Sequence, residues 1–236
     1  MNDGMCDVER AREWTTASTG EVLDNARKMS TGDARALAAK ALALALEEKK
    51  RRKENGGGSW NDLVNEEFRA NEYAFDAYGS WREMDVETRD WCFELTRANM
   101  RELYEQTWGW NAMEKRRELN DAGARFIIAR SASTKKPVAF VHFRFEKEDD
   151  DVDAPVGYIY ELQCEAAHQR RSLGEILVVL VERLSKVLGM HAVVLTVLKA
   201  NASAYGFYTN KMKYEIDENS PGGDCQYLIL SKRFTA

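Results

Sequence analysis

The chain has 236 residues, 44% apolar and 31% charged, with a net charge of −5; these are the values of one globular domain plus an extension. That balance excludes a general electrostatic attraction to nucleic acid and suits a basic partner. Four cysteines, Cys6, Cys92, Cys164 and Cys225, lack metal-ligand spacing, so reduced thiols and no metal site are expected.

Residues 1–32 are polar, and Asp3, Asp7 and Glu9 crowd a start that fits no signal peptide. The expected location is therefore the cytoplasm, the nucleus or both. Asp33 is placed to cap a helix reaching about Lys53, built from Ala, Leu, Lys, Glu and Arg. Its apolar stretch, Ala36 to Leu46, is broken by Lys40 and too short to cross a bilayer. The run Lys49 to Lys53 reads either as a nuclear localisation signal or as a solvated helix end. Asn55-Gly-Gly-Gly-Ser59 ends this arm, so residues 1–59 are expected as a partly disordered extension and 60–236 as the folded domain.

The aromatic, acidic segment Trp60 to Ser80 is expected to form one or two short helices. Asp85 opens a stronger helix to about Gln106, with Trp91, Leu95, Met100, Leu103 and Tyr104 as its apolar positions. The knot from Tyr104 to Trp110 follows; such aromatics serve packing or wall a substrate tunnel. A charged helix, Ala112 to Leu119, leads into strands at 125–130, 137–145 and 156–164. Between the last two, Glu146, Glu148, Asp149, Asp150, Asp151 and Asp153 form either a solvated hairpin tip or an acidic lip for a basic peptide. A helix from 174 to 188, a strand 191–197, a helix 202–212 and strands 214–217 and 226–231 complete an α+β order around one mixed sheet.

The most informative stretch runs from Tyr158 to Gly174. A strand turns into a helix through Gln169, Arg170, Arg171, Ser172 and Gly174. Backbone N–H groups and the positive helix end converge there, which makes an anion site suited to a phosphate-bearing cofactor. Gln169-x-x-Ser-x-Gly174 resembles the Q/R-x-x-G-x-G/A pyrophosphate loop of the GNAT acetyltransferases, with Ser172 in place of Gly. Either Ser172 keeps ordinary backbone angles, or its Cβ displaces the cofactor slightly.

Further ordered matches, Tyr104-Glu-Gln-x-Trp-Gly-Trp110, Pro137-Val-Ala-Phe-x-His-Phe-Arg-Phe145, Tyr158-x-Tyr-Glu-x-Gln163, Leu195-Thr-Val-x-Lys-x-Asn201, Glu215-Ile-Asp217 and Asp224-Cys-x-Tyr227, resemble GNAT N-terminal acetyltransferases of the NatD type. The resemblance implies a GNAT fold, a mixed and mostly antiparallel sheet flanked by helices, carrying an N-terminal helical extension. It implies transfer of acetyl from acetyl-CoA to the N-terminal amine of histone H4 and histone 2A, which begin Ser-Gly-Arg-Gly. The partners implied are those basic peptides, with no nucleic acid, no membrane, and a monomer. It assigns Glu161 as base, with Tyr160 and Tyr208 as further catalytic residues. Cofactor contacts fall on Leu162, Gln163, Cys164, Gln169, Arg170, Arg171, Ser172, Leu173, Gly174, Glu175 and Asn201. Substrate contacts fall on Tyr104, Trp108, Glu146, Tyr158, Tyr160, Thr196, Asn219 and Tyr227. Strand alternation puts Tyr158 and Tyr160 on one face and Glu161 on the other, so direct contact of Glu161 with the amine requires a bulge. Alternative readings are a GNAT acting on lysine side chains or small amines, and a module that binds CoA or histone tails without turnover.

Overall fold

A computed structural model describes residues 72–147 and 154–234. The expected arm at 1–59, its helix near 33–53, and the acidic residues Glu148 to Asp153 lie outside the described residues. Strand β1 (Tyr73–Tyr78) and a 3-10 turn (Trp81–Glu83) precede helices α1 (Val86–Glu105) and α2 (Ala112–Leu119). Strands β2 (Arg125–Ser131), β3 (Pro137–Lys147) and β4 (Pro155–Cys164) follow, then α3 (Leu173–Val187) and β5 (Ala192–Leu198). Helix α4 (Ala202–Gly206) runs into a π-helical turn (Phe207–Lys211), and β6 (Glu215–Ile216) and β7 (Tyr227–Arg233) end the fold. The seven described strands form one mixed sheet in the order β1-β2-β3-β4-β5-β7-β6.

Segments 143–160 and 181–234 form one compact unit, and segments 72–142 and 161–180 form another. In the second, Trp81, Met84, Cys92, Phe93, Leu119, Phe126, Ile128 and Phe140 make a continuous core. Trp81 and Phe140 flank Phe126 at 5.5 and 6.5 Å, and the His142 ring stacks on it at 4.9 Å. Of the segment expected to form short helices, 60–80, residues 60–71 lie outside the described residues, and Tyr73–Tyr78 is strand β1, which pairs antiparallel with β2 from Tyr73↔Ser131 to Tyr78↔Phe126. Aromatic side chains favour a pleated, half-buried surface, and Asp76 on this strand pairs with Arg130 of β2 at 2.8 Å.

Helix α1 starts where Asp85 caps it. Asp85 Oδ1 accepts the Thr88 N–H at 2.7 Å and Oδ2 accepts the Thr88 hydroxyl at 2.9 Å. Arg130 donates to the same hydroxyl oxygen at 2.9 Å, tying the helix start to β2.

In the first unit, β5 is the hub. It pairs parallel with β4 from Val156↔Ala192 to Ile159↔Leu195, and antiparallel with β7 along its whole length. Every β5 residue except Thr196 is buried. A Cβ added to Gly157 would collide with Ser185 Oγ and lie 3.3 Å from Ser185 Cβ, so glycine is required for this close approach.

Two stability measurements follow from these contacts. Asp85→Ala should cost about 1 kcal/mol at neutral pH, as lost caps do. The hydrogen bond from the Thr88 backbone, opposed by some burial, holds the Asp85 carboxyl below its ordinary value. The cap's contribution is therefore full above the unfolded value, about 3.9, and is lost as pH falls through the lower folded value; thermal melts of the two proteins should converge in that acid range. Gly157→Ala should cost about 1–3 kcal/mol by overpacking, and Ser185→Ala should recover most of that loss in the double variant.

Candidate active site

From Gly157 to Cys164 burial along β4 alternates. Ile159, Glu161 and Gln163 are buried, while Tyr158, Tyr160, Leu162 and Cys164 are half-buried. Glu161 thus follows the buried set, and Tyr158 and Tyr160 the half-buried one.

In the second unit, Glu161 is 3% exposed and its carboxylate is held from several sides. Lys115 Nζ donates to Oε1 at 2.7 Å, Gln163 Nε2 donates to Oε2 at 2.6 Å, and the Tyr104 hydroxyl reaches Oε1 at 3.5 Å. Gln163 Oε1 in turn accepts from Asn99 Nδ2 at 3.0 Å. The carboxylate can only accept, so Gln163 must present its NH₂ to Glu161 and its oxygen to Asn99. Burial raises the Tyr104 phenol well above its ordinary value, and the nearby Glu161 charge adds to this. Tyr104 therefore acts as a neutral donor. Its ring stacks between those of Trp108 and Trp110 at 5.6 and 5.8 Å, and Trp108 is 54% exposed.

The turn between β4 and α3 is clamped by α1 and β1 and by its own Gln169. Trp91 Nε1 donates to Glu165 at 2.8 Å, the Tyr73 hydroxyl meets His168 Nδ1 at 3.0 Å, and Asn99 and Gln169 both donate to the Cys164 carbonyl, at 3.3 and 3.2 Å. Cys164 thus has a carbonyl already engaged, which reduces what it offers a cofactor. Arg170 and Ser172 both adopt left-handed backbone angles, φ 58° and 60°. Such alternation turns successive N–H groups to one side and favours anions. Ser172 therefore does not keep ordinary angles: it holds the glycine-like conformation despite its Cβ, at a cost of about 1–2 kcal/mol. Ile176 N–H bonds to the Ser172 carbonyl at 2.9 Å, and helix geometry directs the N–H groups of Leu173, Gly174 and Glu175 out of the N-terminus. The Leu173 side chain is core, at 1% exposure; only its backbone faces this end. Arg170 and Arg171 are exposed. This set fits a pyrophosphate.

The first unit carries the tyrosines. Tyr160 donates to both Glu146 oxygens, at 2.9 and 3.1 Å. The Arg144 guanidinium lies 4.1 Å over the Tyr160 ring and 3.9 Å from Glu146. Burial, then the Glu146 charge, keeps the Tyr160 phenol far above its ordinary value. Tyr158 bonds to the Thr196 hydroxyl, and its ring lies 5.0 Å from that of Tyr160. Burial also raises the Tyr158 phenol; Thr196 opposes this, while Glu146, Tyr227 and Asp217 add to it. Those five groups therefore cluster. Asn219 is exposed and meets this group through its backbone, its N–H held by Asp217 Oδ1 at 2.9 Å. Asn201 caps α4 through Ala204 N–H at 3.1 Å. Tyr208 lies in the π-helical turn, 6% exposed, edge-on to Phe207 and Tyr214.

Sequence reasoning missed Lys115, Asn99 and Arg144. Lys115 carried a signal, since it lies one turn before Leu119, which is fully buried, and so shares the inward face of α2.

A family model described as "Acetyltransferase (GNAT) family" matches residues 81–214, more than half of the chain. Among solved structures, Arabidopsis thaliana NAA60 in complex with acetyl-CoA is 12% identical with a TM-score of 0.51, covering 68% of this chain and 98% of that one. Arabidopsis thaliana Naa50 in complex with a bisubstrate analogue is 18% identical, with a TM-score of 0.49 and coverage of 69% and 99%. The PaiA N-acetyltransferase of Thermoplasma acidophilum in complex with coenzyme A is 15% identical, with a TM-score of 0.49 and coverage of 68% and 99%.

The strained loop yields a direct test. Ser172→Gly should relieve the left-handed strain and raise stability by about 1 kcal/mol, less the entropy glycine adds to the unfolded chain. A thermal melt showing destabilisation would mean that the Ser172 side chain contributes more than its backbone costs.

Proposed function

The chain belongs to the GNAT acetyltransferase family, and we propose that it moves the acetyl group of acetyl-CoA to the N-terminal amine of histone H4 and histone 2A. The observation that carries this reading is the cluster of Tyr158, Tyr160, Glu146, Thr196, Tyr227 and Asp217 in one unit. It offers hydroxyls to a small polar first residue and the Glu146 carboxylate to an ammonium or a guanidinium. The ordered NatD-type motifs support the same substrate. The location that goes with this reading is the cytoplasm and the nucleus.

Acetyl-CoA supplies the acetyl group as a reactive thioester and is consumed as a substrate. The 169–174 loop and the α3 N-terminus are suited to its pyrophosphate, with Asn201 and the backbone of Leu162, Gln163 and Cys164 as further contacts. The amine nitrogen bonds to the acetyl carbon and the carbon–sulfur bond breaks, its electron pair staying on sulfur. An α-amine has a pKa of about 7.7–8.0, so a modest base suffices to remove its proton. Glu161 serves as that base through an intervening water, since its strand face and burial deny it direct contact. Tyr208 is the phenol assigned to return a proton to sulfur.

Incubation with acetyl-CoA and two peptides tests the reading. A peptide beginning Ser-Gly-Arg-Gly should gain one acetyl group, and its N-terminally blocked form none. Acetylation of lysines in the blocked peptide would make the protein a side-chain acetyltransferase. Calorimetric CoA binding without transfer would make it a binding module. Glu161→Gln should lower kcat by about 10²–10⁴-fold with acetyl-CoA affinity unchanged.

A further inference from the structure

We infer that Lys115 is a positioning residue for acetyl transfer, acting through Glu161, whose carboxylate it fixes in orientation. This inference rests on the acetyltransferase reading above. It begins with an ammonium whose three N–H bonds all find acceptors. Lys115 Nζ lies 2.7 Å from Glu161 Oε1, 2.7 Å from Glu118 Oε1 and 3.4 Å from the Tyr104 hydroxyl. It also lies 5.1 Å from the Tyr104 ring centroid. One side chain on α2 thereby joins α1, α2 and β4.

The pair is buried, with side-chain exposures of 10% for Lys115 and 3% for Glu161. Burial disfavours the ammonium, but the Glu161 carboxylate, Tyr104 and Glu118 outweigh it, and Lys115 ends above its ordinary value. Lys115 therefore stays charged throughout the working pH range.

Two consequences bear on the reaction. Glu161 has its orientation set by Lys115 on one oxygen and by Gln163 on the other, so a water held by this carboxylate has a defined position. Placement matters at this scale, because an error of about 1 Å at a reacting group can cost about 100-fold in rate. The cluster's charge matters as well. Two carboxylates, Glu118 and Glu161, surround one ammonium, leaving one negative charge for a cationic amine to meet. Without Lys115 the Glu161 charge would be buried with no cation beside it, and its side chain would be free to rotate.

The test compares Lys115→Met, Lys115→Arg, Glu161→Gln and the Lys115→Met/Glu161→Gln double variant. Each is assayed for kcat and amine KM, for acetyl-CoA affinity by calorimetry, and by thermal melting. Lys115→Met should lower kcat about 100-fold while acetyl-CoA affinity holds, and Lys115→Arg should restore part of the rate. The double variant should be no slower than Glu161→Gln alone, because Lys115 has nothing left to position. It should also melt higher than Lys115→Met, since neither buried partner is then left charged and alone. If Lys115→Met does not fold, Lys115→Arg takes its place: its partial loss of kcat should vanish in the Glu161→Gln background, and a loss that persists there, or no loss at all, would overturn the inference. Rate losses that multiply across the two sites would overturn the inference alone. Failure of the unaltered protein to acetylate any amine would remove the acetyltransferase reading, and this inference with it.

Discussion

The contact between Lys115 and Glu161 constrains more of this structure than any other. It joins α2 to the middle of β4, and Tyr104 of α1 shares it. Charges taken out of water are costly, and a buried pair seldom repays that cost in stability. Removing one partner typically costs about 3–5 kcal/mol, whereas replacing both by well-packed apolar groups is often neutral. Stability alone therefore does not account for an ion pair at this position. What the pair does supply is a single arrangement of α1 and α2 against β4, because each donor and acceptor meets its partner in one register only. The apolar core of Trp81, Phe93, Phe126 and Phe140 supplies the burial energy for the same unit, but apolar contacts are non-directional and fix geometry less sharply.

A second constraint is backbone strain at the start of α3. Two non-glycine residues, Arg170 and Ser172, hold left-handed angles there, each at a cost of about 1–2 kcal/mol. Their neighbours make this conformation tenable. Trp91, Asn99, Gln169 and Tyr73 clamp residues 164–169 just before it, and Leu173, Leu177 and Leu180 bury the inner face of the helix after it. The turn is thus held between a clamped end and a packed one. Its N–H groups take their places before any anion arrives, so little ordering remains to oppose binding.

Much of this architecture was legible in the sequence because its determinants are local. Asp85 before an amphipathic run announces α1, and the period of Ile176, Leu177, Leu180 and Leu184 announces α3. The β1 segment was misread because its assignment depends on a partner: Tyr73–Tyr78 becomes a strand by pairing with β2, about fifty residues later in the chain. The site shows the same division. Tyr158, Tyr160 and Glu161 could be assigned to opposite faces from alternation alone. Lys115 could be placed on the inward face of α2 by its spacing from Leu119, but Asn99 and Arg144 could not, because a polar residue on a helix or strand reads as solvated until the element covering it is known. Ser172 was visible as a departure from the loop pattern, but its angle belongs to the folded turn.

The first unit shows how far a carboxylate's availability depends on its neighbours. Glu146 stands at the end of β3, where an acidic group suits a basic peptide, yet it already accepts two contacts from Tyr160 and has Arg144 3.9 Å away. A carboxylate has about four lone-pair sites, so the phenol leaves it room for a further donor. Arg144 is a competitor for that room, as its guanidinium rests on the Tyr160 ring and within reach of Glu146. An incoming arginine would therefore not meet a bare negative charge. It would meet one already partly offset, and its gain would be the difference between its own contacts and those it displaces. Preference for arginine over lysine would then come from geometry, since a planar fork can share a carboxylate edge with a phenol where a point ammonium cannot. The binding of unrelated cations would be weakened by Arg144, and selectivity would rest on that repulsion as much as on Glu146.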